Sequence, residues 1–248
     1  MNHSRRPSGT TLVELMTYMS LVTMVFLAIY GIFTAGRRYL EIARASIEVQ
    51  QAANTIGYRL TRDLMETDAH TVQYYPNSAA STAPVGIVFL SARKPVTGAA
   101  DDNVFQYDAT YGIPNWQKYV GYYLDADPSY PDQPTMRALY VAEVVPSGFP
   151  KTAAQKGSVN GVTTATFRTS GRNRRLLAHG ILAPTNARPQ GGFDCYALLN
   201  GTKTRTESGN PIYVDLELVN TSAGVARRQV NGSNASSITS SLRVEARS

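Results

Sequence analysis

Glu14 is the only formal charge in an apolar run spanning residues 12–33. A carboxylate placed in hydrocarbon costs roughly 2.5–3.5 kcal/mol on insertion scales, so an acid kept there marks a functional position that needs a positive partner. A short basic segment, with Arg5 and Arg6, precedes the run and ends at Gly9 and Thr10.

The other residues able to do chemistry are scattered. Hydrolysis needs a nucleophile, a base and an orienting acid in one site. His70 is expected at a helix end, where the dipole favours an imidazolium. His179 interrupts an apolar run, residues 176–182, as a half-buried strand residue. No phosphate loop, HExxH or GxSxG motif occurs, so nothing argues for an enzyme and none is expected. Asp125, Asp127 and Asp132 share a proline-rich loop, and Asp101, Asp102 and Asn103 form a second acidic cluster. Flexible loops of this kind suit calcium, which takes 6–8 oxygens, or they are solvated turns. Arg168, Arg172, Arg174 and Arg175, with Lys156 nearby, make the densest basic patch. It reads either as a nucleic-acid contact or as a solvated loop, and only Phe167 lies close by to stack on a base. Cys195 is the single cysteine, which excludes an intrachain disulfide or a cysteine metal cluster and predicts a buried thiol. The formal charge of +6 aids contact with DNA or anionic lipid without demonstrating either.

The elements that must position these residues follow from periodicity. The 12–33 run is long enough to cross a hydrocarbon core of about 30 Å. Arg5 and Arg6 on one side are balanced by Arg37 and Arg38 on the other, so charge alone settles no orientation. Ile42, Ala45, Val49, Ala52, Ile56, Leu60 and Leu64 then recur at near-heptad spacing with charges between them. This predicts one helix over about residues 11–67, apolar in its first half and amphipathic in its second. Gly31 and Gly36 are its weak points; Gly31 suits local melting or close helix contact equally. From residue 71 the signal changes to short β runs at 86–90, 119–124, 137–141, 212–218 and around 242–244, separated by turn-rich stretches such as 125–134 and 157–173. The fold class is α+β, a long N-terminal helix packed on a mostly antiparallel β-sheet head with long loops. The expected segments are 1–9, 10–36, 37–70 and 71–248.

The run Gly9-Thr10-Thr11-Leu12-Val13-Glu14-Leu15 behind a basic leader resembles the type IV prepilin signal of pilins and type II secretion pseudopilins. The resemblance implies cleavage after Gly9 by a prepilin peptidase, a new N-terminus at Thr10, and Glu14 as the fifth mature residue. Residues four apart share a helical face, so the Thr10 ammonium of one subunit would neutralise Glu14 of a subunit staggered by about one turn. Thr10 stands where the family usually has an N-methylated phenylalanine, which bears on methylation rather than cleavage. The Leu139-Tyr140 pair and the acidic-apolar strand around residues 213–218 are similar to the larger minor pilins and the J-type minor pseudopilin. The close at Arg247-Ser248 matches that family only in part.

What the resemblance implies is a non-enzymatic assembly subunit. It would sit in the bacterial inner membrane with its leader cytoplasmic and its head outside, then join or prime a pilus or pseudopilus. Its partners would be other pilins or pseudopilins, the peptidase and the assembly platform. Two alternatives stand beside it: a DNA-receptor minor pilin using Arg168–Arg175, and an unprocessed, signal-anchored periplasmic domain.

Overall fold

The computed structural model describes residues 11–75, 84–110, 112–150, 162–185, 190–205, 211–219 and 237–246. The leader, Gly9, Thr10, Lys156 and the closing Arg247-Ser248 lie outside them. The chain divides into two compact units, Met1–Ser46 and Ile47–Ser248. Helix α1 (Leu12–Met65, 54 residues) contributes to both.

In the first unit the described residues are helix from Leu12 onward, and they include a window apolar and long enough to cross a membrane, none of it buried. Side chains that would form a core elsewhere stand open here: Leu12 and Ile32 are both 74% exposed. The helix runs unbroken through Gly31 and Gly36, and an added Cβ at either would meet nothing within 4 Å.

The second unit is built on period-2 alternation. Among the described residues its sheet has nine strands: β1 (Gln73–Tyr75), β2 (Gly86–Ser91), β3 (Lys118–Ala126), β4 (Met136–Val144), β5 (Arg172–Leu182), β6 (Phe193–Leu199), β7 (Thr202–Thr204), β8 (Ile212–Val219) and β9 (Ser237–Val244). The spatial order is β1-β2-β3-β4-β5-β8-β6-β7, every pair antiparallel, with β9 along β8. β8 meets β5 only at the Ile181–Leu218 pair while β6 holds its Ile212–Leu216 stretch. Since Leu216 is also matched by Ser240, β6 and β9 flank β8 on opposite sides.

Both faces of the central strands are covered. Val120, Tyr122 and Leu124 of β3 face a core that includes Ala53, Ile56, Leu60 and Leu64 of α1. Tyr119 and Tyr123 alternate to the other face, where they join Trp116, Tyr140 and Phe167. Among the described residues, the tyrosines of 74–123 are therefore largely sheet core, with Tyr107 an exposed exception. Helix α2 (Thr164–Ser170) seals the second face. Its Phe167 ring lies so close over β3 that a Cβ at Gly121 would fall 2.7 Å from it, so only glycine fits there. The Thr163 N–H donates to Thr166 Oγ1 at 3.1 Å at the start of α2, and the Gly171 N–H closes its end on the Phe167 carbonyl.

The structure corrects the sequence reading in three places. Residues 162–173 are not a loop, because Phe167 has a buried seat that stabilises a short helix of otherwise weak propensity. The strand predicted within 176–182 begins at Arg172, since β4 supplies its hydrogen-bond ladder from Glu143 onward. Helix α1 ends at Met65, so His70 is not in its last turn but in a separate 3₁₀ turn (Ala69–Thr71), where the Asp68 carboxylate accepts the His70 N–H at 2.9 Å.

Candidate functional site

Glu14 occupies the first turn of α1, where its N–H reaches Thr11 Oγ1 at 3.4 Å. Around it the helix satisfies its own polar groups. The hydroxyls of Thr17, Ser20, Thr23 and Thr34 each donate to a carbonyl three or four residues back, the arrangement that lets hydroxyl groups enter an apolar medium. The Glu14 carboxylate has no hydrogen-bond or ion-pair partner among the described residues and is exposed. It is the one ionised group of residues 12–33.

The four arginines do not form one patch. Arg168 is on α2, and Arg172, Arg174 and Arg175 are on β5. Successive strand residues point to opposite faces, and these arginines separate accordingly. Arg174 lays its guanidinium over the Tyr140 ring, 4.0 Å from the centroid, and reaches Asp125 Oδ2 at 2.9 Å. Arg168 approaches the other Asp125 oxygen at 3.3 Å. One carboxylate thus offsets two of the cations that a nucleic-acid face would need. Arg175 turns instead into a cleft on the α1 side of the sheet.

Asp125 and Asp127 of the 125–134 loop also take separate partners. Asp127 is fully buried at its side chain, contacts His179 Nδ1 at 2.7 Å and accepts the N–H groups of Gly180 (3.0 Å) and Ser129 (2.9 Å). Those bonds fix the loop onto β5, a long-range pair that no local spacing announces. Among the described residues no three His, Cys, Asp or Glu side chains converge as a metal-ligand group, so Asp125, Asp127 and Asp132 are not brought together as one. An oriented Asp–His pair is part of nucleophilic chemistry, but no hydroxyl or thiol among the described residues bonds to the other ring nitrogen.

The cleft has a volume of about 720 Å³ and is walled by α1, by the segment after β2 and by β3, β4 and β5. Lys118 stands at its floor, 2% exposed, donating to Glu143 Oε1 at 2.7 Å and to the Lys94 carbonyl at 3.2 Å. Asp63 receives Arg62 at 2.7 Å and the Tyr122 hydroxyl at 2.6 Å. Burial first, and then the Asp63 charge, push the Tyr122 phenol well above its ordinary value. Arg93 forms a two-point bridge to Glu66 at 2.6 and 2.5 Å. Sequence reasoning missed this cluster because its members come from elements far apart in the chain.

Cys195 is buried on β6, as expected, and burial, with the neighbouring Asp194 carboxylate, holds its thiol well above the ordinary range. Reactivity belongs to the thiolate. A maleimide at pH 8 is expected to leave native protein unlabelled and to label one site after denaturation. Rapid native labelling would contradict this burial.

Comparison with protein-family models, with curated proteins and with solved structures finds no match.

Proposed function

We propose that the chain is a structural, non-enzymatic assembly subunit of the type IV prepilin kind, a minor pilin or J-type minor pseudopilin. The observation that carries the reading is Glu14, an exposed carboxylate without a partner among the described residues, in the first turn of an exposed apolar helix. Prepilin peptidase cuts after Gly9, the Thr10 ammonium is released on the Glu14 face, and that ammonium neutralises the Glu14 of a staggered neighbour. Pairing of this kind removes the charge penalty only inside an assembly, which makes the penalty itself a device for recruitment.

The α+β architecture supports the reading. The amphipathic part of α1, with Ile56, Leu60 and Leu64 buried, anchors a broad antiparallel sheet. A head of residues 47–248 is harder to accommodate at every position of a helical filament than at its end, which favours a tip or priming subunit. The ion pairs of Asp125 with Arg168 and Arg174 favour this structural role over DNA reception.

Cell fractionation tests the function. In cells with an intact assembly machinery the subunit is expected in the sheared filament or pseudopilus fraction. In cells lacking the assembly platform it stays in the inner membrane. An even distribution that ignores the machinery would contradict an assembly role.

A further inference from the structure

We propose that the cleft over β3, β4 and β5 binds a neutral oligosaccharide, with Tyr58 as its stacking platform and Asn54, Asn103 and Arg175 as hydrogen-bonding groups of its walls. This inference stands on the second unit alone and does not depend on the prepilin reading.

The charges of the cleft largely cancel. Arg59 and Arg62 share Asp63, at 3.9 and 2.7 Å. Arg93 is bridged to Glu66, and Lys118 to Glu143. Arg175 and Asp102 are the wall charges without an ion pair among the described residues, one of each sign. Asp102 accepts the Thr97 and Gly98 N–H groups at 2.8 and 2.5 Å, which orders the segment after β2 where it meets the cleft. A polyanion or polycation therefore finds no field of one sign to follow.

What the fold leaves open is mostly neutral. The side-chain amides of Asn54 and Asn103 and the Tyr58 hydroxyl line the cleft and have no hydrogen-bond partner among the described residues. An amide offers donors and an acceptor together, and a hydroxyl is itself one donor and two acceptors. Arg175 adds donors and Asp102 acceptors, so both halves of a sugar hydroxyl are served. An apolar ligand would strip water from these groups and give nothing back.

Tyr58 selects a ring. It is 77% exposed and stands four residues after Asn54 on the α1 wall, so the two share one helical face. The C–H face of a pyranose packs on the electron-rich face of an aromatic ring, and the hydroxyls at the sugar's edge then turn to the polar walls. The volume of about 720 Å³ lies within the roughly 300–1,000 Å³ of ligand clefts.

Saturation-transfer NMR of cellotetraose, maltotetraose and tetra-N-acetylchitotetraose tests the proposal, with the full-length protein in polyoxyethylene micelles, which present no sugar. Saturable binding of at least one of them is expected, unchanged between about 0.05 and 0.5 M salt. Tyr58→Ala and Arg175→Gln should each weaken it about tenfold (~1.4 kcal/mol). Tyr39→Ala, which removes an equally exposed tyrosine of α1 outside the cleft, should leave it unchanged. Thermal melts confirm that each variant remains folded. Failure of all three sugars to bind would overturn the proposal, as would an equal loss in Tyr39→Ala. So would loss of binding at high salt or displacement of the sugar by free glycine, which would assign the cleft to a charged or zwitterionic ligand.

Discussion

Glu14→Ala is expected to leave cleavage after Gly9 intact while lowering incorporation into filaments at least about tenfold, the equivalent of ~1.4 kcal/mol. Two effects of the substitution oppose each other. Removing the carboxylate relieves an insertion cost of roughly 2.5–3.5 kcal/mol, so residence in the membrane should be unchanged or improved. It also removes the only ionised group of residues 12–33 and with it the attraction to a neighbour's terminal ammonium. The helix is otherwise indifferent to the change, since alanine is the best helix former and the Glu14 carboxylate bonds to no described residue. The readout is the ratio of subunit in sheared filaments to subunit in membranes. Unchanged incorporation would contradict the pairing role, and loss of cleavage would shift Glu14 from assembly to peptidase recognition.

A second large effect is expected in the sheet. Glu143→Ala removes the carboxylate that neutralises Lys118, whose side chain is 2% exposed. Breaking one half of a buried pair typically costs about 3–5 kcal/mol, because the other charge stays behind without compensation. For a unit of this size each kcal/mol lowers the melting temperature by about 2–4 °C, so a fall of roughly 6–20 °C is expected in circular-dichroism melts of the micellar protein. Replacing both partners by apolar residues, Lys118→Met with Glu143→Leu, should recover most of that loss. The loss of Lys118 would still leave the Lys94 carbonyl without its donor, which limits the recovery. A single-variant loss below about 1 kcal/mol would show that the pair behaves as an exposed surface bridge.

Much of the fold was legible because its signals are local. Ile212, Val214, Leu216 and Leu218 alternate with polar residues and form β8, with the apolar set buried and the polar set half exposed. The charges between Val49, Ile56 and Leu60 marked the helix that packs on the sheet. Glu14 was legible for the same reason, since an acid inside an apolar run needs no tertiary knowledge to stand out. The start of β5 was not. Arg172, Arg174 and Arg175 read as a solvated loop, yet Arg174 is held by a tyrosine ring and an aspartate on other strands. Helix α2 was hidden in a threonine-rich stretch because its stability comes from the seat of Phe167 over Gly121. The cleft was invisible for a related reason: Arg59, Lys118, Glu143 and Arg175 belong to four elements that meet only in the folded sheet.

Intact-mass spectrometry of the protein purified from membranes of cells that possess a prepilin peptidase tests the central claim most directly. A chain beginning at Thr10, lighter by the first nine residues, is the predicted result. A chain that still carries Met1 through Gly9 would contradict it, since no terminal ammonium would then exist beside Glu14.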